Sequence, residues 1–117
     1  MKLYHNPLSS CSQKVRMVLS EKQLSWDSEV VDLQKGEQFA KAYVALNPNA
    51  VVPTLVDNGH VVIESTLINE YLDDAYPDVA LKPTNAASRH QMRHLVKRID
   101  DALHGACGVI TYAIGVR

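Results

Sequence analysis

A proline inside an apolar, β-branched run constrains this chain most. Val51–Val56 reads as a strand, and Asp57-Asn58-Gly59 supplies a turn because Asn and Gly tolerate positive φ. His60–Ile63 is a second apolar run, so the stretch predicts a β-hairpin. Pro53 cannot donate a hydrogen bond to a strand partner, so we expect the first strand of the hairpin to present an open edge there.

The segments after this proline suggest a ligand. The Val52–Pro53 bond is a candidate cis peptide, since the cis form costs only about 0.5–1 kcal/mol before proline, and it would turn the Val52 peptide groups outward. Ser65 opens a helix beside Glu64, which places free N–H groups and a positive dipole end next to a carboxylate. These features suit a small charged peptide, although an edge-strand proline and a plain helix cap would look the same.

Composition narrows the class of partner. The chain has 117 residues and a formal net charge of −1, which gives no electrostatic case for binding nucleic acid or an anionic membrane. Met1–Pro7 has no apolar signal-peptide core, and the apolar stretch 109–116 is too short to span a bilayer. Cys11 and Cys107 form no disulfide framework, so we expect a cytoplasmic protein.

Residues 1–76 predict the order β-α-β-α-β-β-α. A helix between the first two strands indicates a parallel β-α-β unit with a right-handed crossover, and the hairpin adds an antiparallel pair. We therefore predict an α/β, thioredoxin-like domain with a mixed four-stranded sheet. The expected elements are strand Lys2–His5, a helix from Cys11 or Ser12, strand Glu29–Leu33, a helix with Phe39, Tyr43 and Leu46 on one face, the hairpin, and helix Ser65–Tyr76 with Leu67, Ile68, Tyr71, Leu72 and Ala75 on its buried face.

The last forty residues differ in character. Residues 77–87 hold two prolines and no periodicity and read as a linker, whereas residues 88–117 predict a long amphipathic helix. Its end, Val109–Ile114, is apolar on most faces, and such a helix is normally buried. We expect another chain or a further part of a longer protein to cover it, and the chain alone to be a weakly active or inactive fragment that self-associates.

The loop Ser9–Ser12 is the candidate site of chemistry. It follows the first strand and leads into the first helix, where ligands of open α/β sheets bind and where the helix dipole favours an anion. Lys14 and Arg16 add positive charge. A hydroxyl here could donate a hydrogen bond to a thiolate, although the serines could equally be helix caps and Cys11 an inert small residue.

Histidines do not indicate a metal. The chain has five, and His90 and His94 lie one helical turn apart, but no third ligand is in view. We therefore expect no metal cofactor.

Four motifs together resemble the glutathione transferase superfamily. They are Ser9 to Arg16, Leu46-Asn47-Pro48, Val52-Pro53-Thr54-Leu55 and Glu64-Ser65. Residues 1–76 resemble the thioredoxin-like domain of that superfamily, and 88–117 resemble the first helix of its all-helical second domain. The Ser-Ser-Cys-Ser loop is most similar to the zeta class, known for maleylacetoacetate isomerisation, and it also resembles glutathione-dependent reductive dehalogenases.

The resemblance implies glutathione as cosubstrate. Pro53 would be cis, and the Val52 backbone would pair with the cysteinyl part of the tripeptide. Glu64 would hold the γ-glutamyl ammonium and Ser65 its carboxylate, and Gln38 would contact the glycyl end. Val51 replaces a glutamine that is frequent in the superfamily, which removes one contact.

The resemblance also implies a reaction. Ser9 or Ser10 would stabilise the glutathione thiolate for attack on a small electrophile in conjugation, isomerisation or reductive dehalogenation, and Cys11 could act as a second nucleophile. A homodimer with a role in detoxification is expected. The alternative is a non-enzymatic interaction module, because the stretches Leu46–Asn49 and Val52–Asp57 also resemble stringent starvation protein A, which has no equivalent of the Ser-Ser-Cys loop.

Overall fold

A mixed four-stranded sheet organises the first part of the chain. The computed structural model describes residues 1–115, which divide into two units, the second beginning at Leu81. The strands β1 (Lys2–His5), β2 (Asp27–Val30), β3 (Thr54–Asp57) and β4 (His60–Ile63) lie in the order β2-β1-β3-β4. β1 pairs in parallel with β2, and β3 pairs antiparallel with β4, as predicted. β1 also pairs antiparallel with β3, which joins the hairpin to the parallel pair.

Helices complete both units. In the first they are α1 (Ser10–Glu21), a short 3₁₀ helix (Glu37–Phe39), α2 (Lys41–Leu46) and α3 (Ser65–Ala75). In the second they are α4 (Ala86–Arg98), α5 (His104–Ile110) and two π-helical segments, Ile99–Leu103 and Thr111–Gly115. The thioredoxin-like order of elements, followed by a long helix, is confirmed. Within residues 1–115, no helix is long and apolar enough to cross a membrane.

The main core lies between the sheet and the pair α1 and α3. Six side chains are fully buried there, two from each helix at i, i+4 spacing and one from each central strand. They are Leu3, Val15, Leu19, Leu55, Ile68 and Leu72. Truncating such a leucine to alanine typically costs about 2–5 kcal/mol, so this cluster fixes both helices on the sheet.

Two strand predictions need correction. β3 lies between β1 and β4, so the expectation that Pro53 sits on an open edge strand is wrong. The strand starts at Thr54, one residue after the proline, which has no N–H to donate to the ladder. The second strand ends at Val30 rather than at Leu33, because Val31 packs into a separate buried cluster with Tyr43 and Val52.

Two helix predictions are also wrong in part. Phe39 was expected on the apolar face of a helix, but its side chain is 69% exposed because extended Ala40 separates the 3₁₀ helix from α2. On α3, Leu67 is 59% exposed and Ala75 is exposed. The buried face of α3 is therefore narrower than its apolar periodicity indicated.

Polar contacts join the C-terminal ends of α1 and α3. Lys22 Nζ donates to Asp73 Oδ1 at 2.7 Å and to the Val79 carbonyl at 2.5 Å. Tyr71 and Tyr76 lie close to Asp73 in sequence, and their hydroxyls both donate hydrogen bonds to Asp57 Oδ2 at the end of β3. The Asp57 hydrogen bond, with burial, raises the pKa of Tyr76 to about 12. These contacts fix α3 to its neighbours at the end opposite the candidate site.

Candidate functional site

The predicted site residues lie on segments that meet at one edge of the sheet. The strand register places His5 beside Val30, Tyr4 beside Thr54, and Thr54 beside Ile63. The carboxyl ends of β1, β2 and β4 and the start of β3 are therefore neighbours. In open α/β sheets this is the edge at which ligands bind. Because β1 and β4 run in the same direction, α1 and α3 both begin there.

The start of α1 is a capped helix N-terminus. Ser9 is the N-cap residue, and its Oγ accepts a hydrogen bond from the Ser12 N–H at 3.1 Å. The predicted capping role is therefore confirmed. A hydroxyl that accepts through a lone pair keeps its own proton for donation, so capping orients Ser9 without using its O–H. Ser10 is exposed at the first helical position, and Cys11 is half-buried.

Arg16, together with His5, holds the loop before Ser9; the sequence predicted Arg16 only as a positive charge near this loop and gave His5 no role. Arg16 Nη1 donates to the Asn6 carbonyl at 3.1 Å, and its Nη2 donates to the Pro7 carbonyl at 3.3 Å. Nη1 also lies 3.1 Å from Nδ1 of His5, which is 6% exposed. Burial, and then the charge of Arg16, lowers the pKa of His5 from its usual value of 6.5.

A buried polar network holds the segment that leads to β3. Asn47 Nδ2 donates to the Val51 carbonyl and to Thr54 Oγ1, each at 3.0 Å. The Tyr43 hydroxyl donates to the same carbonyl at 2.6 Å and lies 2.8 Å from Thr54 Oγ1. Burial raises the pKa of Tyr43, so this hydroxyl keeps its proton at neutral pH.

This network presents the peptide groups of Val52. The Val52–Pro53 peptide is cis, as expected. The Val52 side chain is buried, and among the described residues no hydrogen bond outside helices and strands involves its N–H or C=O. A donor and an acceptor are therefore available beside the start of β3.

The start of α3 is built differently from that of α1. Glu64 is its N-cap residue and has a φ of +70°, a region that costs a non-glycine residue about 1–3 kcal/mol. Its side chain is exposed and makes no capping hydrogen bond. Ser65 is the first helical residue and is 8% exposed. The helix dipole at this end is therefore not offset by a side-chain cap.

Gln38 lies on the segment that leaves β2 at the same edge. Its Nε2 donates to the Leu33 carbonyl at 3.4 Å, whereas its buried Oε1 has no hydrogen-bond partner within residues 1–115. The turn before it is held by Asp32, whose Oδ1 accepts from the N–H groups of Gln34 and Lys35. An orphaned buried acceptor carries a desolvation cost that a ligand donor would remove.

The structure thus brings Ser9, Ser10 and Cys11 to the same sheet edge as the pairs Val52–Pro53 and Glu64–Ser65. The sequence did not identify the residues that hold the loop before α1 and the segment before β3. They are His5, Arg16, Tyr43, Asn47 and Thr54. Arg16, Asn47 and Thr54 stood within the resembling motifs, but nothing in their spacing indicated which groups their side chains would bind. His5 carried no signal at all.

Other chemistry has little support in the part of the chain that is described. Residues 1–115 contain no group of three potential metal ligands, and the stacked rings of His90 and His94 have centroids 6.1 Å apart. Neither cysteine is in a disulfide.

Comparison with known proteins gives this edge a family context. A family model described as "Glutathione S-transferase, N-terminal domain" matches residues 8–75. The stringent starvation protein A homolog of Coxiella burnetii is 37% identical over 110 residues, which cover 94% of this chain and 51% of that protein. The chain spans about half the length of the first curated relatives it matches.

Two solved structures are similar over most of the chain. Beta-etherase LigF from Sphingobium sp. strain SYK-6 has a TM-score of 0.92 at 35% identity, over 98% of this chain and 48% of that one. The holo structure of a maleyl pyruvate isomerase, described as a bacterial glutathione S-transferase in the zeta class, has a TM-score of 0.80 at 36% identity. It is matched over 86% of this chain and 47% of that one.

Proposed function

Because the chain belongs to the glutathione S-transferase family, we propose that it forms the glutathione-binding part of an enzyme in which the glutathione thiolate attacks a small electrophile. One observation supports this proposal above the others. An oriented serine hydroxyl, the available peptide groups of Val52 and the uncapped start of α3 all lie at one edge of the sheet. Each of these three features can bind a different part of a peptide that carries a carboxylate, an ammonium group and a thiol.

The tripeptide would lie across the start of β3. Its cysteinyl part pairs with the Val52 N–H and C=O in the manner of an added strand. Its γ-glutamyl carboxylate takes the N-terminus of α3 and the Ser65 hydroxyl, where the dipole favours an anion. The ammonium group pairs with the Glu64 carboxylate. The glycyl end binds Gln38, whose Oε1 can accept a hydrogen bond from a peptide N–H.

The sulfur would then lie at the start of α1. We propose that Ser9 donates its O–H to the thiolate, because the cap fixes its Oγ while leaving its proton available. A hydrogen bond to the charged form lowers a thiol pKa and raises the thiolate fraction at neutral pH. Ser10 is the second candidate for this role. Cys11 would instead act as a nucleophile itself: its thiolate would attack the glutathione sulfur of a substrate disulfide, so that a mixed disulfide with glutathione forms and the substrate thiolate leaves.

The electrophile is left as a class. Conjugation, isomerisation and reductive dehalogenation all begin with attack by the same thiolate, and the similar proteins include both an etherase and an isomerase. Single replacements of Ser9, Ser10 and Cys11, each assayed for conjugation and for disulfide reduction, separate the hydroxyl mechanism from the cysteine mechanism. Loss of turnover in Cys11→Ala alone would exclude the hydroxyl mechanism.

We further propose the organisation of the whole protein. Residues 1–76 form the glutathione-binding domain, the segment after it is a linker that ends where α4 begins at Ala86, and the helical segments from Ala86 onward start a helical domain. A cytoplasmic homodimer with a role in detoxification is the proposed state of the complete enzyme. Equilibrium sedimentation of the complete protein tests the dimer.

A second function has its own support. The 37% identity to a stringent starvation protein A homolog covers 94% of the chain, which favours an interaction module without catalysis. The Ser9–Ser12 loop argues for the enzyme. Calorimetry with reduced glutathione decides between them: binding with a Kd below about 1 mM, reduced in Glu64→Gln, supports the enzyme, and no measurable heat supports the module.

A further inference from the structure

Two residues outside the proposed glutathione set, His5 and Arg16, make the contacts that hold the loop before Ser9. Arg16 reaches back from α1 to the carbonyls of Asn6 and Pro7. The Asn6 carbonyl also accepts the Ser9 N–H at 3.1 Å. The guanidinium therefore holds the same peptide group that positions the capping serine.

The contact with His5 defines its protonation state. Arg16 Nη1 is only a donor, so Nδ1 of His5, at 3.1 Å, must be an acceptor. The ring proton then lies on Nε2, which donates to Ser28 Oγ at 2.7 Å. The arrangement requires neutral His5 in its Nε2–H form.

Among the described residues, neither of the two groups that contact the ring nitrogens carries a negative charge that would favour the charged form of the ring. From α1, Arg16 presents a permanent positive charge, and from β2, Ser28 presents a neutral hydroxyl. Trp26 packs edge-to-face with a centroid distance of 5.3 Å. Protonation would place two positive groups 3.1 Å apart and remove one of the two acceptors of Nη1, the other being the Asn6 carbonyl.

We infer that His5 and Arg16 are positioning residues for the thiol-binding loop, and that protonation of His5 releases that loop and switches the site off in acid. This inference rests on the proposed function for its catalytic consequence, but the release of the loop does not depend on any ligand. The direction of the effect follows from linkage. Because the pKa of His5 is lowered in the folded protein, its contribution to stability is complete above about pH 6.5 and is lost as the pH falls through the lowered value.

A nitrogen-detected NMR titration of the intact protein tests the release without glutathione. We expect His5 to be the Nε2–H tautomer at pH 7 and to titrate below pH 6.5, and the amides of Ser9 and Ser12 to shift with the same midpoint. The Nδ1–H tautomer, or loop amides that do not follow His5, would overturn the inference.

Three variants sharpen this test. His5→Asn offers an amide oxygen near the position of Nδ1 and cannot titrate, so we expect it to keep the loop amides in place and to abolish their acid transition. Arg16→Lys replaces the planar guanidinium, whose Nη1 and Nη2 reach the carbonyls of Asn6 and Pro7, by a single ammonium nitrogen on a flexible stem, and it should shift the Ser9 and Ser12 amides already at pH 7. Arg89→Lys is the matched control, because Arg89 Nε also donates to a carbonyl, that of Pro83, but in the second unit. An acid transition unchanged in His5→Asn would overturn the inference.

Kinetics with glutathione and a nitroaryl halide test the consequence for catalysis. We expect Arg16→Lys to lower kcat by about 100-fold with little change in the KM for glutathione, and His5→Asn to restore activity at pH 5.5 relative to wild type. If wild type fails to bind glutathione, the proposed function fails, while the NMR titration still decides whether the loop follows His5. If wild type binds glutathione but kcat is unchanged in Arg16→Lys, only the positioning role fails.

Discussion

The two helices that begin at the candidate site differ in how their N-termini are capped. The N-terminus of α1 is satisfied: Ser9 caps it, and Arg16 secures the preceding loop. The N-terminus of α3 has strained Glu64 at the cap position, and that residue makes no side-chain capping hydrogen bond to the part of the chain that is described. The same edge of the sheet therefore carries one helix N-terminus with a side-chain cap and one without.

This difference assigns separate tasks to the two helices. Strain that the local sequence does not relieve is concentrated at binding sites, where ligand contacts can compensate for it. The uncapped N-terminus of α3 is suited to take the charged end of a ligand, while the capped N-terminus of α1 provides a fixed hydroxyl. The predictions below test this division, from the largest expected effect to the smallest.

The largest effect concerns the hydroxyl on α1. Ser9→Asp keeps a good N-cap residue but replaces the O–H donor by a negative charge. We expect the rate constant for reaction of bound glutathione with a nitroaryl halide at pH 7 to fall by at least about 100-fold. The free energy of unfolding should stay within about 0.5 kcal/mol of wild type.

Ser9→Ala separates capping from catalysis. It should lose a similar rate factor and also about 1 kcal/mol of stability. Asn85→Ala is its control, because Asn85 caps α4 by accepting from the Ser88 N–H at 2.8 Å. That variant should lose stability in the second unit and keep the thiol reactivity. A Ser9→Asp protein with wild-type reactivity would move the role to Ser10 or Cys11.

The next effect concerns the charged end of the ligand at α3. Glu64→Gln removes the carboxylate that would hold the ammonium group, a charge-assisted bond worth about 1.5–3 kcal/mol. Calorimetry should show glutathione affinity reduced by about 10- to 100-fold, with a smaller loss in Ser65→Ala. Glu21→Gln, an exposed acid at the far end of α1, is the control and should bind as wild type does. Equal affinities in Glu64→Gln and Glu21→Gln would contradict the proposed role of α3.

The smallest effect is on stability alone. Glu64→Gly relieves a strain of about 1–3 kcal/mol against an entropic cost of about 0.5–1 kcal/mol. Urea denaturation should therefore show it more stable by about 1 kcal/mol. Ser9→Gly should be less stable by a few tenths of a kcal/mol. Opposite signs at the two caps would support the comparison, and destabilisation at both would break it.

The periodic parts of the structure were predictable from sequence. Residues at i, i+4 spacing in α1 and α3 and the β-branched runs of the hairpin indicated the right elements, because burial of one face dominates their energy. Leu67 shows the limit of that argument, since it matches the apolar period of α3 yet is 59% exposed. Pro53 lies just outside β3 because proline has no N–H to donate to the neighbouring strand, so the strand begins at Thr54.

The supporting contacts of the site were not predictable. The contact between Arg16 and His5 joins residues eleven positions apart, and the bond from His5 to Ser28 spans twenty-three. Such contacts depend on the crossover geometry of the β-α-β unit and leave no periodic trace in the sequence. Asn47 differs in degree: its motif marked it, but only the fold shows that it serves the loop before β3.

An NMR titration of the protein with reduced glutathione tests the central claim most directly. The account predicts saturable shifts in the amides of Val52, Ser65 and the first turn of α1, reduced in Glu64→Gln and unchanged in Glu21→Gln. Shifts absent from these three segments at millimolar glutathione would contradict it and leave the fold without the proposed ligand.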